Sequence, residues 1–146
     1  MKKQEITLYV NAGRLSVFNH IPDENAVYIM APEPQFSQCV PKLTPVAQAL
    51  SFNEAGVDKD VPLQIINAGL RTLIVPITSL AACLALYPKQ EVLRQFCIDN
   101  DIDIVLVFCK ETYLSSSHYR TRVFAPKFGY LEDPATGSGN LAFGYY

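Results

Sequence analysis

Apolar and polar side chains alternate through residues 6–10 and 14–18, and Asn11-Ala12-Gly13 separates the two runs. Alternation of period two buries one face of a strand, and Asn and Gly tolerate the positive φ that a tight turn demands, so the pattern predicts a β-hairpin. A third apolar run, residues 26–30, follows the polar turn Pro22-Asp23-Glu24-Asn25 and is closed by Pro32 and Pro34, which cannot donate to a ladder. A three-stranded antiparallel meander is expected. Residues 32–45 hold four prolines and little periodicity, so they read as an extended connection into a short helix. That helix has Thr44 at its N-cap, Pro45 at its first position and an end near Phe52.

The polar, Gly-containing stretch 53–60 is the best break in the pattern, and a boundary is expected at about Gly56: residues 1–56 as one unit, 57–146 as another. Beyond it, runs 63–66 and 72–77 flank Asn67-Ala68-Gly69-Leu70 and predict an antiparallel pair. Ser79 opens an apolar helix to about Leu86. After Pro88, residues 89–99 carry Val92, Leu93, Phe96 and Cys97 at amphipathic spacing, which predicts a second helix. Residues 102–108 form a nearly continuous β-branched run suited to a strand covered on both faces, and residues 119–124 suit its partner. The loop between them, 112–118, has three consecutive serines and is expected to be the most mobile element.

Composition narrows the function classes. The chain has 146 residues, 49% hydrophobic and 18% charged, enough for one substantial core or two small ones. A net charge of −2 offers no basic surface for neutralising phosphates, so no nucleic-acid partner is expected. The longest apolar stretch, 73–86, is interrupted by Pro76, Thr78 and Ser79 and falls short of the roughly 20 residues of a membrane span. The start shows no apolar signal block, so cytoplasmic residence follows by default. The cysteines, Cys39, Cys83, Cys97 and Cys109, show no Cys-x-x-Cys pair and no histidine at ligand spacing. They read as reduced core residues, and no metal site is expected.

Candidate chemistry lies in residues 122–140, where a strand runs into a loop and then a helix. Gly137, Ser138 and Gly139 place minimal side chains at the start of that helix, where backbone N–H groups lack partners and the dipole favours an anion. These three residues are the candidate substrate-binding set, for a carboxylate. Asp133, ahead of Pro134, is the candidate proton-transfer group. The residue types alone also fit a plainer role, Asp and Ser as helix caps. Glu132 reads as a solvated neighbour or a partner of the helix dipole, and His20 and His118 as solvated side chains. Tyr145 and Tyr146, beside Leu141 and Phe143, suggest an interface.

The run Arg-x-Phe-Ala-Pro-x-x-Gly-x-x-Glu-Asp-Pro-Ala-Thr-Gly-Ser, residues 122–138, resembles the signature of PhzF-like isomerases. Residues 67–77 resemble that family's segment ahead of a Leu-Val-Pro strand, and residues 11–17 its earlier hairpin, so the likeness extends over nearly the whole chain. It implies an α+β, diaminopimelate-epimerase-like fold, a mostly antiparallel sheet wrapped around a central helix, with both lobes incomplete. Residues 1–56 would be a remnant of the first lobe, and 57–146 part of the second. Epimerases of that fold carry a cysteine where Ala135-Thr136-Gly137-Ser138 stands here, so the likeness favours isomerisation over two-thiol epimerisation. It also implies proton transfer without cofactor on a small carboxylate-bearing metabolite, with Asp133 catalytic and Gly137, Ser138 and Gly139 binding substrate. The family's N-terminal catalytic glutamate has no counterpart in this sequence. Activity would then call for a complementing chain, and exposed apolar surface for a homodimer or other homo-oligomer. The alternatives are an inactive carboxylate-binding or structural homo-oligomer, and a remnant without selected function.

Overall fold

The computed structural model of the chain describes residues 4–10 and 13–146. Contacts divide it into two compact units, Met1–Glu33 and Pro34–Tyr146. The division falls before residues 34–56 rather than at Gly56. Segment 34–56 joins the larger unit because its strand pairs there and its helix shares that unit's core.

The smaller unit is the expected meander. Strands β1 (Glu5–Val10), β2 (Gly13–His20) and β3 (Ala26–Ile29) pair antiparallel in that order. Register sets Ile6 opposite Val17, Leu8 opposite Leu15, and Val17 opposite Ile29, so one face is aliphatic apart from Asn19, opposite Val27. Of the turn predicted at 11–13, Asn11 and Ala12 lie outside the described residues. Gly13 has φ 119°, a conformation that suits glycine. Between β2 and β3, a single helical turn, α1 (Ile21–Glu24), ends on Asn25 at φ 52°. Ile6, Leu8, Val10, Val27 and Ile29 are each between 43% and 60% exposed, a broad apolar face for so small a sheet.

The larger unit is a six-stranded sheet in the order β4-β5-β6-β7-β8-β9. Its strands are β4 (Gln35–Phe36), β5 (Gln64–Asn67), β6 (Arg71–Pro76), β7 (Ile104–Cys109), β8 (Arg120–Phe124) and β9 (Glu132–Asp133). Every neighbouring pair is antiparallel except β6 and β7, which run parallel. A parallel pair needs a long crossover, and helices α3 (Leu80–Ala85) and α4 (Gln90–Asp99) provide it. Helix α2 (Leu43–Ala49) begins one residue before the expected Thr44 cap. Lys42 is its N-cap, without a side-chain cap bond, and Thr44 and Pro45 fall inside the first turn.

Both faces of the central strands are covered, as the apolar run in β7 requires. Val105, Val107 and Cys109 face a core shared with Leu50 of the α2 end, Cys83 of α3, and Leu93 and Cys97 of α4. Ile104, Leu106 and Phe108 face a second core closed by α5 (Gly137–Tyr145) through Ala142, Leu141 and Phe143. The sheet therefore wraps a single helix on one side, and α5 occupies the expected central position. Three of the cysteines are buried; Cys39 is exposed, contrary to its reading as a core residue, because in the extended connector it is the neighbouring Val40 that packs against the core. No helix among the described residues is long and apolar enough to cross a membrane, and they hold no cluster of metal-ligating side chains.

Candidate functional site

The signature segment is shaped by a strand that outruns its neighbour. β8 pairs with β7 over its full length, from Arg120 opposite Cys109 to Phe124 opposite Val105. On its other edge only Val123 and Phe124 are paired, with Asp133 and Glu132 of β9. A 3₁₀ turn, Pro126–Phe128, and Gly129 at φ 92° reverse the chain between the two strands. The Ala125 amide then closes the loop by donating to the Leu131 carbonyl at 3.0 Å. The unpaired stretch of β8 leaves a cleft of about 120 Å³ whose walls include Arg120, Arg122, Glu132, Asp133, Thr136 and Asn140.

Arg122 is the best-anchored charge in this cleft. Its Nε and Nη2 donate to the two carboxylate oxygens of Glu132 at 2.8 and 2.9 Å. Its Nη1 donates to the carbonyls of Cys83 and Leu86, both at 2.8 Å, at the C-terminal end of α3. A helix C-terminus presents unpaired carbonyls and partial negative charge, so a guanidinium there satisfies two needs together. The side chain is only 11% exposed. The Arg122 hydrogen bonds hold the Glu132 carboxyl below the usual range, outweighing the opposing effect of burial, while Glu132 pushes the guanidinium further up. Glu132 is thus neither a freely solvated neighbour nor a dipole partner of α5. It is one half of a bidentate ion pair, and it fixes the strand on which Asp133 follows.

Asp133 lies in the cleft, half-buried. Its Oδ1 accepts from the Ala135 amide at 3.2 Å, and the Thr136 hydroxyl donates to its carbonyl at 3.4 Å. The carboxylate therefore turns the loop without capping α5. The N-cap is Thr136, in an extended conformation, and no side chain makes a cap hydrogen bond. Ser138 likewise does not cap the helix. The first-turn amides of α5, those of Gly137, Ser138 and Gly139, have no acceptor one turn back.

The glycines divide in role. Gly137 is exposed, and a Cβ there would meet nothing within 4 Å. Gly139 is buried, and a Cβ would come within 3.1 Å of Val123 Cγ2 and 3.4 Å of Ile104 Cδ1. Its missing side chain lets α5 approach the sheet, so what it could offer a ligand is limited to its amide. Of the predicted site residues, Asp133 borders the cleft, whereas Gly137, Ser138 and Gly139 begin the adjoining helix outside its walls. Asn140, one turn in, donates from Nδ2 to the Thr136 carbonyl at 2.8 Å and borders the cleft as well. Arg120, Arg122 and Asn140 had no assigned role in the sequence; for the arginines the available signal was their spacing of two, which sets both on one face of a strand. His20 lies in the other unit and His118 is exposed in the serine loop.

Comparison with known proteins gives the family and the fold. All residues, 1–146, match the family model described as phenazine biosynthesis-like protein (PhzC-PhzF). An uncharacterised isomerase of Bacillus subtilis, YfhB, is 30% identical over 114 residues, which are 77% of this chain and 39% of that protein. The trans-2,3-dihydro-3-hydroxyanthranilate isomerase of Pseudomonas aeruginosa is 35% identical over 77 residues, 53% of this chain and 25% of that protein. The crystal structure of a Bacillus anthracis phenazine biosynthesis protein of the PhzF family superposes with a TM-score of 0.81 at 25% identity, covering 99% of this chain and 49% of that one. The chain spans about half the length of these relatives, or less.

Proposed function

The chain belongs to the phenazine biosynthesis-like family, and from that premise we propose that it serves cofactor-independent isomerisation of a small carboxylate-bearing metabolite. Asp133 is the group that moves or holds the proton. The observation that carries this reading is the position of Asp133, in a polar cleft beside an uncapped helix N-terminus. A carboxylate or a developing enolate is stabilised by the amides of Gly137, Ser138 and Gly139, while the neighbouring carboxylate exchanges a proton with carbon. In the allylic case a C–H bond breaks, its electron pair becomes the new double bond, the old double bond's pair takes up a proton at the far carbon, and nothing is oxidised.

Such a shift needs a proton-transfer group at each end of the allylic system. Glu132 is held ionised by Arg122, which leaves Asp133 as the one uncommitted carboxylate among the described residues of the cleft. The second group then lies outside this cleft, in the part of the relatives' length that this chain does not span or in a further copy of the chain. The exposed aliphatic face of the β1-β2-β3 sheet favours association of that kind.

The test is deuterium incorporation. The chain is incubated in D₂O with trans-2,3-dihydro-3-hydroxyanthranilate, alone and with the half of a relative that it lacks, and carbon-bound deuterium is followed by NMR. Incorporation that vanishes in Asp133→Ala supports the proposal. Incorporation unchanged in that variant removes Asp133 from the mechanism. Binding without incorporation under every condition would instead favour the carboxylate-binding homo-oligomer.

A further inference from the structure

Most polar side chains around Asp133 are already committed to the protein. Arg122 directs its N–H groups at Glu132 and at the carbonyls that end α3. The Thr136 hydroxyl donates to the Asp133 carbonyl, and the Thr121 hydroxyl donates to Asn140 Oδ1, each at 3.4 Å. Asp133 accepts from Ala135 through Oδ1, and its Oδ2 has no hydrogen bond among the described residues. One other group on the cleft wall is both held in place and incompletely used, the side-chain amide of Asn140.

Asn140 is the fourth residue of α5. Asparagine is a poor residue for a helix interior because its side chain competes with the backbone for hydrogen bonds. That competition is visible here: Nδ2 donates to the Thr136 carbonyl at 2.8 Å, whereas the Asn140 backbone amide reaches the same carbonyl at only 3.4 Å. The side chain is thereby drawn back over the first turn of α5, to the wall of the cleft. A carbonyl can only accept, so the atom that meets Thr136 is the nitrogen, and Oδ1 is left to accept from Thr121 of β8. Bonds to two different elements fix the plane of the amide. Its nitrogen carries a second hydrogen, and among the described residues that hydrogen has no acceptor.

Removal of a proton from a carbon beside a carboxyl group leaves charge on oxygen, and a donor already aimed at that oxygen lowers the barrier. The amides of Gly137, Ser138 and Gly139 begin the helix outside the cleft walls, so within the cleft a donor is still required. Arg120 also borders the space, but no hydrogen bond among the described residues fixes its guanidinium, and a donor that must first be ordered loses part of its effect. Resting on the reading of Asp133 given above, we infer that Asn140 is a second catalytic residue of this cleft, the neutral donor to the developing oxyanion. The proton leaves carbon for the Asp133 carboxylate, the C–H electron pair becomes a carbon–carbon double bond, and the carbonyl π pair moves onto oxygen. Asn140 donates a hydrogen bond to that oxygen and keeps its own proton.

The experiment measures kcat and KM for deuterium incorporation, under both conditions described above, in the unaltered protein, Asn140→Ala, Asn140→Asp and Asn140→Gln, with urea unfolding of each. Asn140 is exposed, and in Asn140→Ala the lost bond to Thr136 is offset by the better helix propensity of alanine, so the urea midpoints should stay close together. Asn140→Ala should lower kcat about a hundredfold and leave KM within about twofold, as expected when one oxyanion donor is removed. Asn140→Asp is nearly isosteric but can only accept when ionised, and should lose at least as much; Asn140→Gln, which keeps the donor, should recover part of the rate. Incorporation abolished in Asp133→Ala but unchanged in Asn140→Ala and Asn140→Asp overturns the role of Asn140 and leaves that of Asp133 standing. A rate loss that merely follows a fall in urea midpoint across the three variants makes Asn140 a structural tie and also overturns its catalytic role. A fall in kcat in Asn140→Asp with incorporation unchanged in Asp133→Ala removes Asp133 and retains Asn140 as a donor. No incorporation by the unaltered protein under either condition overturns both.

Discussion

Replacing Arg122 by Met tests the electrostatic anchor of the site. The substitution keeps a long apolar stem but removes four hydrogen bonds of 2.8 to 2.9 Å, two to Glu132 and two to the carbonyls of Cys83 and Leu86. Removing one partner of a buried ion pair costs about 3–5 kcal/mol, mostly because the other charge is left stranded. Here Glu132 is 35% exposed and water can partly rehydrate it, which brings the expected loss to about 3 kcal/mol. Glu132→Gln keeps an acceptor and lets Arg122 retain its carbonyls, so about 1.5 kcal/mol is expected. The charge-swapped pair Arg122→Glu with Glu132→Arg discriminates further. It restores the ion pair but turns a carboxylate toward the C-terminal carbonyls of α3, so it should remain about as unstable as Arg122→Met. Urea unfolding followed by far-ultraviolet circular dichroism measures all three; the chain has no tryptophan to report instead. A loss below about 1 kcal/mol in Arg122→Met, or full recovery in the swapped pair, would refute the argument that Arg122 joins α3 to β9.

The same contacts predict an acid limb in stability. Glu132 is held down by Arg122. Burial pushes the Asp103 carboxyl up, but the Lys127 ammonium and the Arg71 amide outweigh it and leave the group below its usual range. Carboxyls lowered in the folded state contribute full stability above their unfolded values, roughly pH 4, and lose it as pH falls through the folded ones. Urea midpoints should therefore be level near pH 6 and drop below about pH 4, with a smaller drop in Glu132→Gln; an unchanged drop would contradict the assignment. Burial pushes the Cys83 thiol up to about 12 and the Cys97 thiol up to about 11, and Cys109 is also raised by burial. A disulfide reagent at pH 8 should thus modify only Cys39 quickly, and all four thiols only in denaturant; fast modification of a second native thiol would count against the core packing. Gly139→Ala inserts a methyl 3.1 Å from Val123 and should cost about 1–3 kcal/mol, whereas Gly137→Ala, with open space around it, should be nearly neutral in urea unfolding.

Local order in the chain was legible because it rests on short-range physics. Alternating runs became β1 and β2, shorter apolar runs became β3, β5 and β6, and the unbroken apolar run of residues 102–108 became β7, covered on both faces. Ser79, read as a helix opener, caps α3 by accepting from the Ala82 amide at 3.1 Å. The long signature at 122–138 was enough to indicate the family and the strand, loop and helix that carry Asp133.

Long-range pairing decided what that pattern could not. The two-residue strands β4 and β9 have no periodicity of their own and exist because β5 and β8 offer unpaired edges. The polarity of 53–60 suggested a boundary there, yet packing of Val46, Ala49 and Leu50 into the core of the six-stranded sheet binds residues 34–56 to the larger unit. Glu132 looked solvated because its partner lies ten residues back on another strand. The packing role of Gly139 was hidden because nothing in the sequence shows the sheet pressing against its Cα. A sequence displays the reach of each side chain along its own element; which charge it meets, and whether a missing side chain makes room for a ligand or for a neighbouring strand, depends on contacts that form only when the sheet closes over α5.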